Sequence, residues 1–547
     1  MRWLFLILAV NAAAVEPGYI DPATCRACHR KIFDAYQQTG MGKTFTKAET
    51  VQPLSGFFHG PSQLQYSILK RDSFYFLRRS SPPLEKRLDY AIGSGNHSTT
   101  FVHRAENGKL KELPVSWYSE NGGFWNMSPG YDRPDHSDFR REVADSCLFC
   151  HNGYPSKANG GIAQGLDCQR CHGPGELHAA GKGPIVNPAK LSPQRGLEVC
   201  LQCHLESASR TLPDAIRRLG RTPFSYRPGE PLGGFMLYFQ FANSPAEDRI
   251  TVNGSGYGLL KSKCFSLSSG RLTCTTCHNP HRQLTSLEAE QHYTRVCRGC
   301  HAAAHQASTR DCASCHMRKR RTEDAVHVVL TDHRIRRTPL PGDLLAPLPE
   351  RHERLSGKTA LLYPPELPAS PETDLYLAMA QRDPVALRKA IANTKPAEVD
   401  PYLVLAEALQ KADRAQDAIR ALRQIIQKFP DDPRGYIAAS QLLMDRGEVD
   451  LAVQLMQPAL ARMPDHPALL NSLAVLYSSK QRFEDALRLL SRAVEAEPED
   501  SLSWLNLGVC LEATGDRNGA AAAYRQTLAL DPGSTRARTY LQRLAEH

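Results

Sequence analysis

The sequence predicts a mainly α protein in two parts, a loop-rich, cysteine-dense part with a small β element and then an α-solenoid. Three observations predict this division. Fourteen of the 16 cysteines recur in seven short motifs before residue 317, a proline-rich stretch follows, and proline then recurs every 34 residues. The predicted boundaries are residues 1–14 for a signal peptide, 15–337 for the motif-bearing domain, 338–371 for a linker and 372–547 for the solenoid.

Composition and charge exclude several classes of protein. With 547 residues, 41% hydrophobic and 23% charged, the chain is long enough for two or more cored domains and is neither disordered nor collagen-like. The net charge of +10 is spread along the chain, and the longest basic run is Arg318 to Arg321. We therefore expect no nucleic-acid partner.

The N-terminus has the pattern of a secretory signal peptide. A basic Arg2 precedes an apolar run from Trp3 to Val10, and small residues follow from Ala12 to Ala14. The apolar run is too short to span a bilayer, so we expect cleavage after Ala14 and a periplasmic or extracellular protein without a transmembrane segment. A retained N-terminal anchor is the alternative.

The cysteine motifs all have the form C-x-x-C-H. Their cysteines are Cys25, Cys28, Cys147, Cys150, Cys168, Cys171, Cys200, Cys203, Cys274, Cys277, Cys297, Cys300, Cys312 and Cys315. The histidines that complete motifs one to seven are His29, His151, His172, His204, His278, His301 and His316.

This motif matches the attachment chemistry of c-type haem. The two thiols form thioethers to the porphyrin vinyl groups, and the adjacent histidine binds the iron. A zinc ribbon or a redox dithiol does not require a histidine directly after the second cysteine. An exported cysteine-rich chain would otherwise be expected to form a disulfide scaffold, but this spacing predicts seven covalently attached haem c groups.

The sixth ligand of each iron decides between electron carriage and catalysis, because a six-coordinate iron has no open position for substrate. Local context favours His178, His281, His327 and His333 as these ligands, followed by His97 and His136. Met41 is a candidate on the first haem, where a thioether would raise the potential, with core packing as its alternative. We expect His59, His103, His292 and His305 at the surface or in supporting positions.

Two further features lie outside the motifs. Alternating runs at residues 65–69 and 73–77 predict a small β-hairpin or sheet, with an irregular loop as the alternative. Cys510 is expected to be a buried apolar thiol, whereas Cys264 either is buried or faces an open haem position.

The C-terminal period predicts tetratricopeptide repeats. Prolines recur at intervals of 34 residues, and small residues such as Ala474 and Gly508 alternate with large ones within each period. Four repeats are expected from about Asp400, with a degenerate helical pair before them and a capping helix over 534–545. Docking of a peptide or protein ligand is favoured over buttressing of the first domain or self-association.

Three motif segments resemble a known family. Cys168-Gln-Arg-Cys171-His172-Gly-Pro-Gly-Glu-Leu-His178, the segment from Cys274 to His281, and Cys312-Ala-Ser-Cys315-His316-Met resemble the multihaem cytochromes related to the tetrahaem partner of hydroxylamine oxidoreductase. The resemblance covers roughly residues 20–337 and implies that His178 and His281 ligate neighbouring haems in a chain of stacked pairs. Seven motifs depart from the four or eight of the best-known members of this family, so the haem order is not carried over.

The main functional hypothesis is an exported heptahaem electron-transfer cytochrome whose repeats dock a redox partner or an assembly factor. The rival is a multihaem oxidoreductase acting on a small nitrogen or sulfur compound at a haem with an open position. A third reading is a repeat adaptor with purely structural haems. The sequence leans towards a carrier and leaves enzymatic activity open.

Overall fold

A computed structural model describes residues 18–155, 165–205, 215–241, 248–301, 311–351 and 358–546. The predicted signal peptide, His305, His352 and His547 lie outside the described residues. Across these ranges, no helix combines the length and apolar character that a membrane span requires.

In the described part of the motif-bearing domain there are ten mostly short α-helices. Each of the seven motifs lies within one of these helices or at its end. One helical turn between the two cysteines brings both thiols to the same side. The helices are α1 (Ala23–Tyr36), α2 (Asp145–His151), α3 (Gln169–His172), α4 (Glu176–Ala179), α5 (Pro193–His204), α6 (Ser255–Leu260), α7 (Lys263–Ser266), α8 (Cys274–Cys277), α9 (Ser286–Cys300) and α10 (Cys312–His316).

Two antiparallel sheets fill the interval between the first and second motifs, and we call residues 45–127 the β module. One sheet has the order β1-β6-β7-β8-β9 and the other β2-β3-β4-β5. The strands are β1 (Phe45–Lys47), β2 (Phe57–His59), β3 (Leu64–Arg71), β4 (Phe74–Arg79), β5 (Leu84–Arg87), β6 (Tyr90–Ile92), β7 (Ser98–Arg104), β8 (Leu110–Tyr118) and β9 (Phe124–Met127).

The β module corrects the expected fold class, because "mainly α" holds only for the C-terminal part. The predicted hairpin is confirmed as β3 and β4, which pair from Tyr66 opposite Arg79 to Arg71 opposite Phe74. It belongs to a larger structure whose core includes Leu77, Phe101 and Val115. Apolar side chains from both sheets fill this core, so the module has its own hydrophobic centre.

Two smaller sheets follow the second motif. One has the order β10-β11-β14, with β10 (Ile216–Arg217), β11 (Met236–Phe241) and β14 (Thr359–Tyr363). The other pairs β12 (Lys319–Arg321) with β13 (Val329–Thr331). Strand β14 comes from the proline-rich stretch, so this stretch is tied by backbone pairing to the motif-bearing domain.

Eleven helices form the solenoid. They are α11 (Pro371–Gln381), α12 (Pro384–Thr394), α13 (Asp400–Lys411), α14 (Ala415–Lys428), α15 (Pro433–Asp445), α16 (Val449–Arg462), α17 (Pro467–Ser479), α18 (Phe483–Ala496), α19 (Ser501–Ala513), α20 (Arg517–Leu530) and α21 (Thr535–Glu546). The four predicted repeats, the preceding pair and the final helix are all present. Small residues are needed where helices meet: a Cβ on Gly508 would lie 2.5 Å from a ring carbon of Tyr524.

Both ends of the solenoid contact the motif-bearing domain. At the first end, Leu375 and Tyr376 of α11 share one core with Leu237 and Phe239 of β11. At the other end, three ion pairs join the solenoid to the β module and the segment that follows it: Lys86–Glu499, Lys109–Glu497 and Arg140–Asp531. The solenoid is thus held in place at both ends by its own chain.

Candidate haem-binding site

The seven motifs supply 14 thiols. All 16 cysteines lie within the described residues, and each is a free thiol. Cys510 is 1% exposed in α19, which confirms the predicted buried thiol. Cys264 is partly exposed and lies near Cys277, Cys297 and Cys300 of the fifth and sixth motifs.

Three motif histidines face a second histidine from another segment. The ring centroids are 6.2 Å apart for His29 and His178, 6.0 Å for His172 and His281, and 6.1 Å for His278 and His333. We call these the crossed histidine pairs. A metal–imidazole bond is about 2 Å long and a ring nitrogen lies about 1 Å from its centroid, so one iron between two imidazoles separates the centroids by about 6 Å.

The crossed histidine pairs join successive odd-numbered motifs. His178 follows the third motif and faces the first, His281 follows the fifth and faces the third, and His333 follows the seventh and faces the fifth. Three of the four distal ligands favoured by local sequence context therefore lie opposite a motif histidine.

Hydrogen bonds to Nδ1 orient several of these rings. The Nδ1–H groups of His172, His316 and His333 donate to the carbonyls of Val186, Arg336 and Thr331 at 2.8, 2.7 and 3.0 Å. Nδ1 of His151 lies 2.5 Å from the Thr44 hydroxyl. Because Nδ1 is engaged, Nε2 is the nitrogen left to bind a metal, which is the supporting role that outer hydrogen bonds play in metal sites.

Burial keeps several rings neutral, which is the protonation state that binds a metal. Burial lowers the pKa of His151 to about 4 and, together with the neighbouring His333, His204 and His292, lowers that of His278 to about 4. Burial also lowers the pKa of His204, His281 and His333.

Contacts between thiols show how the motifs follow one another in space. Thiols of different motifs lie close enough to interact at Cys25–Cys168, Cys200–Cys274 and Cys297–Cys312. Cys171 lies beside Cys200 and Cys203, and Cys277 lies near Cys297. The motifs therefore run one, three, four, five, six, seven, and the second adjoins the third and fourth through Arg170, which lies near Cys150 and Cys203.

Among the described residues, nine buried side-chain polar atoms lack a hydrogen-bond partner, and six of them lie around the second, third and fourth motifs. These six are Tyr19 Oη, Asn152 Oδ1, Asp167 Oδ2, Arg170 Nε and Nη1, and Gln202 Oε1. Buried polar groups in folded proteins are normally satisfied. Orphaned polar atoms, free thiols and facing imidazoles are together what a polypeptide that encloses covalent haem should present, so the residues fit this cofactor.

The other predicted distal ligands have different neighbours. His327 lies against Tyr118 and Phe124 of the β module, with centroids 5.0 and 5.8 Å away. His97 lies near Lys319, just beyond the seventh motif. His136 is buried beside His59 and Tyr131. The structure thus does not place His327 or His136 in ring contact with a motif histidine.

The loop of Met41 lies beside the second and third motifs. The Met41 carbonyl accepts hydrogen bonds from Thr44 N–H at 3.3 Å and Leu166 N–H at 3.2 Å, and Thr44 contacts His151. His29 of the first motif faces His178 instead. The geometry favours His178 over Met41 as the distal group of the first motif.

Three histidines expected at the surface or in supporting positions have defined neighbours. His59 is 4% exposed and lies 3.1 Å from Asp132, so it is not at the surface. His103 contacts Asp89 and Glu499. Nε2 of His292 donates to the Cys277 carbonyl at 2.9 Å, a supporting position next to the fifth motif. Sequence reasoning missed Thr44 and Arg170, because neither residue type carries a haem signature.

Comparison with known proteins agrees with the C-terminal architecture. The tetratricopeptide repeat family matches residues 403–467 and 471–535. The C-terminal part is a tetratricopeptide repeat array. Solved tetratricopeptide proteins share low similarity with this array. YrrB, a protein "with an unusual peptide-binding site", is 21% identical, and the TM-score is 0.26. The match covers 30% of this chain and 84% of the YrrB chain. TTC0263 of Thermus thermophilus is 16% identical, covers 32% of this chain and all of its own, and has a TM-score of 0.27.

One curated relative links the chain to multihaem cytochromes. Multiheme cytochrome MtrA of Shewanella baltica (strain OS185) is 25% identical in an alignment of 185 positions that covers 29% of this chain and 53% of the relative. The chain thus spans about half the length of this relative. The match supports a multihaem cytochrome in general and leaves the finer kinship, to the tetrahaem partner of hydroxylamine oxidoreductase, a proposal.

Proposed function

We propose that the chain is an exported c-type cytochrome that carries electrons through seven covalently attached haems. The observation that carries this proposal is the set of crossed histidine pairs. In each pair, the centroid of the motif imidazole and that of the second imidazole are separated by a distance that one iron between them would give. Two imidazoles on one iron fill its axial positions, which suits electron transfer and leaves no place for a substrate.

The chain's cysteines and histidines would have separate roles in holding haem. Haem, when bound, supplies the one-electron couple, and the motif cysteines would hold it by thioether bonds. The motif histidines would ligate the iron through Nε2, with Nδ1 of His172 and His316 held by the carbonyls of Val186 and Arg336. His178, His281 and His333 would supply the second imidazole to the first, third and fifth haems.

The order of motifs supports conduction along the domain. Thiol contacts link motifs one, three, four, five, six and seven in turn, and this sequence of neighbours would carry electrons between the first and the seventh haem. We propose a periplasmic or extracellular location and redox partner proteins at the ends of this path. The repeat array would bind a peptide or protein partner, as such solenoids do.

The decisive experiment combines haem quantification with electron paramagnetic resonance of the oxidised full-length protein, produced in a host that matures c-type cytochromes. We expect seven haems per chain and low-spin signals for the crossed histidine pairs. Absence of covalent haem would reject the proposal. A stoichiometric high-spin haem that responds to nitrite, hydroxylamine or sulfite would replace it with the oxidoreductase alternative.

A further inference from the structure

Arg170 is a buried cation inside a haem-attachment motif. It lies between Cys168 and Cys171 of the third motif and is 2% exposed. Its Nη2 donates to the Phe149 carbonyl at 2.8 Å, whereas Nε and Nη1 have no hydrogen-bond partner. The guanidinium carbon lies 4.4 Å from the ring centroid of Phe149, 4.7 Å from that of Tyr154 and 5.7 Å from that of Phe224.

Aromatic rings stabilise this cation but do not neutralise it. Stacking on aromatic faces is a favourable environment for guanidinium. Among the ion pairs formed by the described residues, none includes Arg170, although Asp167 is close enough to interact with it through space. Burial raises the pKa of Asp167 to about 6, so this acid is mostly ionised at pH 7 and offsets part of the Arg170 charge through space. Because no described acid pairs directly with the guanidinium, Arg170 acts on its surroundings as a buried cation in a medium of low dielectric constant.

Three haem-attachment motifs meet at this charge. Arg170 belongs to the third motif, its guanidinium contacts the Cys203 thiol of the fourth, and Cys150 of the second lies within electrostatic range. Phe149, whose carbonyl accepts the hydrogen bond, lies between the two cysteines of the second motif. At Arg170 the second motif therefore meets the third and fourth motifs, which belong to the series of neighbouring motifs that runs from the first to the seventh.

We propose that Arg170 raises the reduction potentials of the haems attached at the second, third and fourth motifs, which makes their junction the preferred location of an electron in the protein. This inference rests on the proposed haem content. Reduction lowers the charge of a haem by one, and a nearby buried cation favours the reduced form. At an effective dielectric constant of about 20 and a separation of about 10 Å, Coulomb's law favours reduction more than tenfold.

The functional consequence is that electrons would gather at the haems of the second, third and fourth motifs. Electrons that enter at the first, the second or the seventh motif would all reach this junction of higher reduction potential. Because Arg170 acts on the irons through the electrostatic field, it is a tuning residue, and its role is visible in equilibrium potentials without any assay of turnover.

The test is a spectroelectrochemical titration of the full-length holoprotein and of Arg170→Gln at pH 7, each after haem quantification. Glutamine keeps a donor for the Phe149 carbonyl and removes the charge. We expect at least one of the seven couples to shift to lower potential by a tenfold change in its reduction equilibrium, about 59 mV for one electron. A seven-haem Arg170→Gln protein with an unchanged titration curve would overturn the proposal.

A matched control is Arg221→Gln. Arg221 also lies over an aromatic ring, 5.4 Å from the Phe235 centroid, but it is paired with Glu230. We expect a smaller shift for this variant, because the Arg221 side chain is partly exposed and solvent screens its charge, whereas Arg170 is buried. An equal shift in both variants would show that any lost arginine acts in the same way, which would contradict a special role for Arg170.

Two further variants keep the test decisive. Arg170→Lys retains the charge, so its potentials should stay close to those of the parent; a shift as large as that of Arg170→Gln would show that packing, not charge, matters. If Arg170→Gln does not accumulate, Asp167→Asn/Arg170→Gln is compared with Asp167→Asn, and equal potentials in these two would overturn the proposal. A parent protein without covalent haem would instead reject the proposed function, which the haem count shows separately.

Discussion

The imidazole rings of His172 and His281 lie with their centroids 6.0 Å apart and their planes 18° from parallel. The two residues are far apart in the chain, since His172 completes the third motif and His281 follows the fifth. An iron bound by both would therefore connect distant segments. Haem attachment is a local event, but axial ligation is long-range, so each crossed histidine pair would also stabilise the fold of the loop-rich domain.

Replacing His281 tests this relationship directly. In His281→Ala the third haem should stay attached through Cys168 and Cys171 but lose one axial ligand. We expect one haem per chain to change from low spin to high spin, measured by electron paramagnetic resonance at constant haem content.

The control for this variant is His292→Ala. His292 is close to the fifth motif, but its Nε2 donates to the Cys277 carbonyl, so this nitrogen is not available to an iron. Its spin state should match that of the parent. Identical spectra for His281→Ala and the parent would remove His281 from the iron ligands.

Thr44→Val tests the support of the second motif. Valine has a similar shape but cannot hydrogen-bond to Nδ1 of His151. Loss of this bond makes the imidazole less electron-rich, so we expect one couple to move to higher potential, by up to about tenfold in its reduction equilibrium or about 59 mV. The measurement is a spectroelectrochemical titration.

Thr100→Val is the matched control, because the Thr100 hydroxyl bonds to Ser116 inside the β module. It should leave all couples in place. A titration in which the two valine variants behave alike would contradict a role for Thr44 at the second haem.

Glu499→Gln tests the contact between the repeat array and the β module. Glu499 pairs with Lys86 and lies 3.7 Å from Nε2 of His103. Burial alone would raise the pKa of Glu499, but the hydrogen bonds from His103 and Lys86 outweigh it and bring the pKa to about 2. We expect the substitution to reduce the free energy of unfolding by about 1–3 kcal/mol, measured by chemical denaturation at pH 6.

The same contact predicts a pH dependence. The depressed pKa of Glu499 contributes stability that is present above its ordinary value, near pH 4.5, and is lost as the pH falls towards about 2. Burial opposes protonation of His103, but the hydrogen bonds to Asp89 and Glu499 outweigh burial and raise the pKa of His103. The stability that protonated His103 contributes is therefore complete below its ordinary pKa of about 6.5 and is lost as the pH rises through its raised pKa. The difference between parent and Glu499→Gln should therefore be largest between about pH 5 and 6.5 and should shrink on both sides. Glu495→Gln, on an exposed position of α18, should show no such profile.

Gly508→Ala tests the packing of the last repeat. The added Cβ would lie 2.5 Å from a ring carbon of Tyr524, so α19 and α20 would have to separate. We expect a loss of about 1–3 kcal/mol in the free energy of unfolding with unchanged haem spectra. Gly533→Ala, where the new Cβ meets only an ordinary contact at 3.4 Å, is the control, and equal effects of the two variants would contradict this packing argument.

Local signals in the sequence were sufficient for the motifs and for the repeats. The C-x-x-C-H spacing fits within one helical turn, and the 34-residue period reflects helices that pack only on their neighbours. Both features need no knowledge of distant contacts. The sequence by itself therefore predicted the attachment residues, the four repeats, the helical pair before them and the final helix.

Long-range contacts decided the rest. Short strands such as β1, β2 and β6 have only three residues each, too few to show a period, so the two sheets emerge only from their pairing. The partner of each motif histidine, the burial of Arg170 beside three motifs, and the contact of Glu499 with Lys86 likewise join residues far apart in the chain. The sequence predicted which groups would hold haem and determined which helices repeat, and only the tertiary structure decided which of them meet, because the spacing of neighbours along a chain does not specify contacts across it.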